Sequence, residues 1–403
     1  MTISLCMIVK DEAGNLADCL QSAQGLADEV IVVDTGSTDQ TVAIAQSFGA
    51  QVHFFDWGHD FAAARNAALS YATGDWILVL DGDETLQPEV TPVLQSIDQG
   101  KSVAGIAAKN LLLVNLMRWE VGAQQSPYTL VSRFFRNHPK LRFNRPYHET
   151  VDDSIVALQS EEPHWQIATL DAVAIHHRGY QADAIAQRHK FERARAIMEG
   201  YLANHPTDAY LCNKLAALYG QEADWEKALP LLHQGISQRE EDPTIRYELH
   251  YHLGLAYRHL QQLDQAEQHY QLALQQPLLP RLKLGAQINL GSLYKHTGQI
   301  SKAIAQFEQA ADIDPSSAQV YFNLGVAHRV NGNLDCAIAA YQRAIEIDPA
   351  YPEAHQNLGV ALFKLGKIPQ CRQAFAQAIQ LYEQSDPQAA IALQNGLKKL
   401  GIG

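Results

Sequence analysis

The second half of the sequence repeats itself, and no other feature of the chain restricts its fold as strongly. A Leu-Gly pair recurs at Leu290-Gly291, Leu324-Gly325 and Leu358-Gly359, which places these glycines 34 residues apart. An earlier pair, Leu253-Gly254, lies 37 residues before Gly291, and alanines follow the first three glycines at 12 and 19 residues. A period of this length is typical of a solenoid of stacked helix pairs, with small residues where two helices cross closely.

The spacing and the small-residue pattern resemble the tetratricopeptide repeat. We expect five repeat units over residues 207–383, with Pro315 and Pro349 stopping the second helix of two of them. Residues 183–206 are predicted to form a helical connector, and residues 384–403 a capping helix and tail. The resemblance implies an all-α solenoid whose concave surface binds a protein or peptide, and it leaves that ligand unidentified.

The first half of the sequence alternates short apolar runs with amphipathic stretches. Strands are predicted at residues 3–9, 29–34, 51–55 and 76–80. Helices are predicted at residues 11–24, from Ser37 or Thr38 to Gly49, and from Asp60 to about residue 72. Residues 117–127 show no clear periodicity and are predicted to form a loop. The alternation indicates an α/β domain over residues 1–182, with a Rossmann-like, mostly parallel sheet covered by helices on both faces.

Acidic residues follow two of these predicted strands. Asp34 ends the second strand, and Asp81 and Asp83 follow the fourth. Residues two apart in extended chain face the same side, so the carboxylates of Asp81 and Asp83 would lie together. Ligands of parallel α/β sheets bind beyond the carboxyl ends of the strands. Mg²⁺ or Mn²⁺ would suit these oxygen ligands and would bridge to phosphate, whereas the segment alone also fits an Asp-Gly turn.

Two common nucleotide-binding motifs are missing from the sequence. The chain reads Val9-Lys10-Asp11-Glu12-Ala13-Gly14 after the first strand, without the glycine pattern of dinucleotide-binding oxidoreductases. It also lacks the GxxxxGK[ST] loop of kinases and ATPases. These two enzyme classes are therefore excluded as interpretations of the acidic strand ends.

Four short segments of the first half occur in a characteristic order and spacing. They are SLCMIVKDE at residues 4–12, VVDTGSTD at 32–39, DFAAARN at 60–66 and DGD at 81–83. Together they resemble the N-terminal half of the family 2 glycosyltransferases, which have the GT-A fold. The resemblance implies an inverting transferase of the hexosyltransferase type that uses a nucleotide-sugar donor, expected to be a UDP-sugar. It also implies Mn²⁺ or Mg²⁺ as the cofactor, held at an Asp-x-Asp motif.

By motif position, the resemblance gives each polar residue a role. Asp34 would contact the uracil or ribose of the donor, with Asp39 nearby, and Arg65 would help to hold the nucleotide. Asp83 would coordinate the metal, and Asp81 would contact either the ribose or the metal. Other roles stay open, because Asp39 also fits a charge at a helix start and Arg65 also fits a solvated helix residue.

An inverting transferase needs a base that removes a proton from the acceptor. At the position of His148-Glu149, many family 2 enzymes carry Glu-Asp instead. His148-Glu149 resembles the variant of the subgroup with tetratricopeptide repeats. Glu149 is therefore the candidate base, and Asp152 is the reserve. Without the resemblance, Glu149 would be interpreted as a helix start paired with Arg145 or Arg133.

Residues 177–180 read His-Arg-Gly-Tyr and resemble the His-x-Gly-Tyr segment that follows the catalytic region in related enzymes. By analogy with other GT-A enzymes, His177 is a candidate third metal ligand.

Composition limits the partners and the location that we expect. The net charge of −13 argues against nucleic-acid binding, because neutralising phosphates requires a basic surface. The five cysteines are scattered without CxxC spacing, which is typical of the reducing cytoplasm. No apolar run approaches the ~20 residues of a membrane helix. We therefore expect a cytoplasmic protein with no membrane span.

Three functions fit the sequence to different degrees. The first is a glycosyltransferase whose repeats bind the acceptor or a partner protein. The second is a repeat-based scaffold whose GT-A domain binds a nucleotide sugar without turning it over. The third is a nucleotidyltransferase, which would normally show a glycine-rich basic loop after its first strand. The intact set of acidic and basic motif residues favours the first.

Overall fold

The computed structural model describes residues 2–123, 126–178, 184–238 and 242–401. They divide into two compact units, Met1–Ile245 (the first unit) and Arg246–Gly403 (the second unit). The predicted boundary between residues 182 and 183 lies outside the described residues, as do Gly179 and Tyr180 of the predicted His-x-Gly-Tyr segment. In the described part of the chain, no helix is long and apolar enough to cross a bilayer.

The bounds of the elements are as follows. The strands are β1 (Ile3–Val9), β2 (Glu29–Asp34), β3 (Gln51–Phe54), β4 (Trp76–Val79), β5 (Glu84–Leu86), β6 (Leu111–Glu120), β7 (Tyr128–Arg136) and β8 (Gln166–His177). The helices are α1 (Leu16–Ser22), α2 (Thr41–Ser47), α3 (Phe61–Tyr71), α4 (Thr91–Asp98), α5 (Asp152–Glu161), α6 (Ala184–Leu202), α7 (Ala209–Gln221), α8 (Trp225–Ser237), α9 (Pro243–His259), α10 (Leu263–Leu274), α11 (Leu284–His296), α12 (Ile300–Ile313), α13 (Ala318–Val330), α14 (Leu334–Ile347), α15 (Pro352–Lys364), α16 (Ile368–Ser385) and α17 (Pro387–Lys399).

The described strands form one mixed sheet in the order β3-β2-β1-β4-β7-β6-β8-β5. The first four are parallel, as predicted from the strand–helix alternation. β7 then pairs antiparallel with β4, and β6 antiparallel with β7. This reversal brings the start of β7 to the edge where β4 ends. The ends of β6 and β8 run side by side, and the end of β8 pairs antiparallel with β5.

The two faces of the sheet are buried in separate cores, which confirms the predicted cover on both sides. Alternate side chains point to opposite faces of a strand. In β4, Trp76 and Leu78 join one core, whereas Ile77 and Val79 join the other. The uninterrupted apolar run of β4 is therefore that of a strand buried on both faces.

The first two helices begin later than predicted, because loops occupy their predicted first residues. α1 begins at Leu16 instead of residue 11, because Asp11 adopts a φ of 54° and its Oδ1 accepts hydrogen bonds from Thr38. The hydroxyl of Ser37 accepts from the backbone N–H of Asp11, so Ser37 does not cap α2. α2 begins at Thr41 without a side-chain cap, whereas Asp60 caps α3 as predicted. The predicted loop over residues 117–127 is wrong at its start, because β6 continues to Glu120.

Close helix crossings explain the periodic glycines. A Cβ at Gly254 would lie 2.5 Å from Cδ1 of Tyr270, where α9 meets α10. The same relation, a glycine facing an aromatic ring from the next helix, recurs at Gly291 with Phe307, Gly325 with Tyr341 and Gly359 with Phe375. The all-α part predicted from the repeat pattern is thus confirmed, and α17 follows the last pair, α15 and α16.

Candidate functional site

Asp34 lies at the carboxyl end of β2 and is 1% exposed. Its Oδ1 accepts hydrogen bonds from the backbone N–H groups of Gly36, at 2.9 Å, and Ser37, at 3.0 Å. Gly36 has a φ of 107°, a conformation for which glycine is the suitable residue. The other oxygen, Oδ2, is buried and has no hydrogen-bond partner among the described residues. Such an atom is costly unless a ligand supplies a donor.

Arg65 joins two of the predicted site residues. It lies in α3 and is only 4% exposed, so the interpretation of Arg65 as a solvated helix residue is wrong. Its Nε donates to Oε1 of Glu149 at 2.9 Å, and its Nη2 donates to Oδ1 of Asp81. Glu149 therefore pairs with Arg65 instead of Arg145 or Arg133, and it precedes α5 instead of starting a helix.

Two further arginines enter the site from the antiparallel half of the sheet. Sequence analysis assigned no role to Arg118 and named Arg133 only as an alternative partner of Glu149. Arg133, near the middle of β7, donates from Nη2 to Oδ2 of Asp81 at 2.8 Å. Arg118, near the end of β6, donates from Nη1 to Glu84 at 2.8 Å and from Nε to Glu120 at 2.8 Å. The only sequence signal was a basic residue within an apolar strand, which does not identify its partner.

The guanidinium groups of Arg65 and Arg133 keep Asp81 ionised. Burial alone would raise the pKa of its carboxyl, but Arg133 and Arg65 hold that pKa well below its usual range. Each carboxylate oxygen already accepts from one arginine. Nη1 of Arg65 and Nη1 of Arg133 are buried without a hydrogen-bond partner among the described residues. The cluster therefore retains unused donors suited to an anionic ligand.

Asp83, His177 and Glu120 form a second contact chain at the junction of β5, β6 and β8. Oδ2 of Asp83 lies 3.2 Å from Nε2 of His177, and Nδ1 of His177 lies 2.5 Å from Oε2 of Glu120. Burial lowers the pKa of His177, but its hydrogen bonds with Asp83 and Glu120 raise it to about 10. The structure thus brings together two of the three predicted metal ligands.

These groups fit a divalent metal only in part. Among the residues that the structure describes, no group of three or more His, Cys, Asp or Glu side chains is arranged to hold an ion. Asp83 and His177 provide a carboxylate and an imidazole that face each other. Glu120 contacts Nδ1 of His177, on the side of the ring away from Asp83, and so orients the imidazole. Two protein ligands suffice where phosphate oxygens and water complete the coordination of the metal.

Asp39 forms local contacts in the structure. Its Oδ1 accepts from the backbone N–H of Thr41 at 2.9 Å, and its Oδ2 accepts from the backbone N–H of Ala13 at 3.0 Å. The hydrogen bond from the Thr41 hydroxyl is the largest cause of a lowered pKa for Asp39. Asp39 therefore ties the loop after β1 to the loop after β2, at the edge where Asp34 lies.

Asp152 begins α5 and lies outside both contact chains. Its Oδ1 is 2.5 Å from the hydroxyl of Ser132, the neighbour of Arg133 in β7. Burial raises the pKa of Asp152, which favours proton uptake. No described hydrogen bond or ion pair connects Asp152 with Arg65, Asp81 or Asp83.

Protein-family models match the two halves of the chain separately. Residues 4–167 match the model of glycosyl transferase family 2. Residues 291–332 and 329–366 match a TPR repeat model, and residues 247–276 and 352–385 match models of the tetratricopeptide repeat.

Individual proteins resemble this chain over its whole length or over one half. A TPR repeat-containing protein of Synechococcus elongatus is 46% identical over 401 residues, which are 99% of this chain and 97% of that protein. An uncharacterized glycosyltransferase of Rickettsia bellii is 30% identical over 201 residues, 49% of this chain and 68% of that protein. The crystal structure of YrrB, a TPR protein, aligns at 20% identity with 50% of this chain and 100% of its own, with a TM-score of 0.40.

Proposed function

Because the chain belongs to the family 2 glycosyltransferases and carries C-terminal tetratricopeptide repeats, we propose that it is a metal-dependent, inverting hexosyltransferase. Its donor in this proposal is a UDP-sugar. One observation carries the proposal: Arg65 contacts both Asp81 and Glu149 at the edge where β4 ends. Residues from three separate predicted motifs thus form one cluster, in which Arg65 is buried and Asp81 and Glu149 are partly buried.

Asp34 and the arginines would hold the nucleotide. The unpartnered Oδ2 of Asp34 accepts a hydrogen bond, which a uracil N–H or a ribose hydroxyl can donate. The unpartnered Nη1 atoms of Arg65 and Arg133 are charged donors of the kind that bind phosphate. In this proposal, Asp81 serves mainly to position these two arginines, because both of its oxygens are engaged by them.

Asp83 and His177 would hold the cofactor, Mn²⁺ or Mg²⁺, with Glu120 fixing the orientation of the imidazole. When bound, the ion would neutralise charge that grows on the diphosphate leaving group. Arg65 and Arg133 would contribute positive charge to the same region. Cleavage of the sugar–phosphate bond is favoured in this way without a proton on the leaving group.

Glu149 would remove the proton from the attacking acceptor. Its Oε1 is held by Nε of Arg65, which fixes the direction of the carboxylate. The Oε2 atom then remains for the acceptor hydroxyl. Asp152, with its raised pKa, is the alternative base. We further propose that the repeats bind the acceptor or a partner protein.

Thermal unfolding with UDP-sugars, in the presence and absence of Mn²⁺, tests donor binding. We expect UDP-sugars to raise the unfolding temperature with Mn²⁺ and less without it, because the cofactor and the nucleotide bind together. An Asp83→Ala variant should lose the Mn²⁺-dependent part. Absence of any nucleotide effect would reject the enzyme, and a nucleotide effect without turnover of any UDP-sugar would favour the inactive scaffold.

Release of UDP tests the base. Glu149→Gln should lower kcat by about 100-fold or more while UDP binding changes little, because general-base catalysis contributes about 10² to 10⁴. Glu161→Gln is the matched control, since Glu161 is exposed and paired with Lys140 at the surface. A Glu149→Gln enzyme with normal turnover would transfer the role to Asp152.

A further inference from the structure

The loop that carries the candidate base is closed on itself. In the 144–150 loop (residues 144–150), the backbone N–H of Asn144 donates to the carbonyl of Thr150 at 2.9 Å, and the N–H of Thr150 donates back at 3.3 Å. The carbonyl of Pro146 accepts from the N–H of Phe61, the first residue of α3, at 2.9 Å. Glu149 therefore projects from a short loop that is attached to the helix of Arg65.

Two residues of this loop adopt a conformation that disfavours them. Arg145 has a φ of 74° and His148 a φ of 54°, in the left-handed region that glycine prefers. Non-glycine residues in this region raise the free energy of the folded state, and they persist only where surrounding contacts hold them. The contacts of Arg145 therefore decide whether the loop keeps its shape.

Arg145 contacts α7, the first helix of the region that is predicted to form repeats. Its Nε donates to Oδ2 of Asp208 at 2.7 Å, and both side chains are about nine-tenths buried, at 10% and 11% exposed. Its guanidinium carbon lies 5.0 Å from the ring centre of Tyr210 in α7. The second oxygen of Asp208 caps α7, because Oδ1 accepts from the N–H of Leu211 at 2.9 Å. One carboxylate thus joins a helix start to the 144–150 loop.

We propose that Arg145 and Asp208 are positioning residues for the transferase reaction, through which α7 holds the 144–150 loop and directs Glu149. The first helix pair, α7 and α8, then belongs to the catalytic part of the enzyme and is not available as a separate partner-binding module. The grouping of both helices with the sheet in the first unit agrees with this assignment. The inference rests on the proposed role of Glu149.

The alternative is a salt bridge that only stabilises the fold. An ion pair of that kind would change stability without changing the geometry of the base. Glu149 lies four residues after Arg145 in the loop, and its carboxylate is held by Arg65 of α3. Arg145 also pairs with the exposed Asp153 at 3.0 Å and donates to the Thr150 hydroxyl at 3.4 Å, so Asp208 is its buried acidic partner and Asp153 its exposed one. Loss of Asp208 would therefore loosen one side of the loop and leave the other in place, which displaces the base without removing it.

Asp208→Asn in the full-length chain tests the proposal. Asparagine retains the oxygen that caps α7, but it cannot pair as an anion with Arg145. The matched control is Asp224→Asn, because Asp224 caps α8 in the same way, accepts from Lys227 N–H at 3.3 Å and belongs to a surface ion pair. The measurements are hydrogen exchange over residues 144–151 without ligands, and UDP release from UDP-glucose and UDP-N-acetylglucosamine with Mn²⁺.

We expect exchange in the loop to accelerate in Asp208→Asn and to stay at the wild-type rate in Asp224→Asn. We expect kcat to fall by about 10- to 100-fold in Asp208→Asn, because small displacements of catalytic groups have effects of this size, while the KM for the donor stays within about twofold. Unchanged exchange in Asp208→Asn, equal acceleration in both variants, or a rise in KM alone would overturn the proposal. If exchange accelerates in Asp208→Asn but the wild-type protein turns over no sugar nucleotide, the proposed function is rejected and the contact between Asp208 and the loop still stands.

Discussion

At the residue scale, several charged side chains of the site form ion pairs with more than one partner. Arg65 binds two carboxylates, and Asp81 binds two arginines, so each side chain fixes the position of the next. In such a partly buried network, removal of one member leaves the others with uncompensated charge. The effect of a substitution therefore extends beyond the contact that it deletes.

Arg133 gives a direct test of this dependence. Arg133→Gln should weaken UDP binding by about 10- to 100-fold, because Asp81 would then keep a single cationic partner and the site would lose a charged donor. Arg343→Gln is the control, since Arg343 is exposed and pairs with Glu346 on a repeat helix. Isothermal titration with UDP and Mn²⁺ measures the change. Equal affinities for Arg133→Gln and wild type would contradict this role.

Part of the site was accessible to sequence reasoning at this scale. Asp34, Arg65 and Asp81 stand in motifs with a fixed order, and the parallel strands that carry two of them take a regular arrangement. Arg118 and Arg133 could not be predicted in the same way. They lie on strands whose partners depend on antiparallel pairings across the sheet, and a basic residue in such a strand has no local signal for its partner.

At the element scale, the spacing of small residues determines how helices pair. Each repeat glycine faces an aromatic ring 16 residues later, so the pattern was visible in the sequence although the contact was not. The ends of helices were harder to predict. Asp11 and Ser37 favour helix starts in isolation, but each bonds to the other's loop, so α1 and α2 begin later than predicted. Asp39 contacts both Thr41, the first residue of α2, and the loop after β1.

Gly291→Ala should destabilise the repeat region. The added Cβ would lie 2.8 Å from Cε1 of Phe307, and overpacking of this kind costs about 1–3 kcal/mol, offset by up to ~1 kcal/mol of helix propensity. The control is Gly396→Ala in α17, where nothing beyond the chain neighbours and the helix's own backbone lies within 4 Å of the new Cβ. That variant should be more stable by up to about 1 kcal/mol. Urea unfolding followed by circular dichroism compares them, and a stabilised Gly291→Ala would refute the crossing argument.

His250 should make the repeat region sensitive to acid. It is 7% exposed, its Nδ1 lies 3.0 Å from Nδ1 of His269, and burial followed by the charges of His269 and Arg246 lowers its pKa from 6.5 to about 4. A lowered histidine pKa means that the unfolded chain binds the proton first. The contribution of neutral His250 to the free energy of unfolding is fully present above about pH 6.5 and is lost as the pH falls towards 4. The loss amounts to about 3 kcal/mol at 1.36 kcal/mol for each pKa unit.

The measurement is thermal unfolding between pH 7 and pH 4.5. His250→Gln should lose less stability over this range than wild type, because glutamine does not titrate. His296→Gln, at an exposed position of α11, is the control and should follow the wild-type curve. Parallel curves for His250→Gln and wild type would show that other groups govern the acid response.

At the scale of the whole molecule, the chain combines two compact units with different architectures. The α/β unit and the helical solenoid were both predictable, because each has its own sequence period. The order in which β7, β6, β8 and β5 complete the sheet was not. Long-range pairing decides this order, and the chain carries no periodic signal for it.

The division into two units predicts which residues should exchange hydrogen more slowly when the nucleotide binds. Every residue proposed to contact the donor belongs to the first unit, so UDP with Mn²⁺ should slow hydrogen exchange at the ends of β2 and β4 and in α3. Helices α11 to α16 should exchange at the same rate with and without the nucleotide. Hydrogen-exchange mass spectrometry of the intact protein measures both. Widespread slowing in the solenoid would contradict the prediction.

The turn that Asp34 makes with Gly36 and Ser37 has a consequence for the choice of base. Two backbone donors orient the carboxylate through Oδ1. If Asp34 contacts the base and not the ribose of the proposed donor, that base would meet one oriented acceptor at Oδ2. A base with a hydrogen on its pairing edge satisfies this oxygen, as uracil does at N3, whereas cytosine presents a lone pair there and the two would repel. UDP should accordingly displace a bound UDP-sugar at concentrations at which CDP fails. The selectivity would depend on the N3 hydrogen of uracil, which cytosine lacks and which Oδ2 of Asp34 can accept.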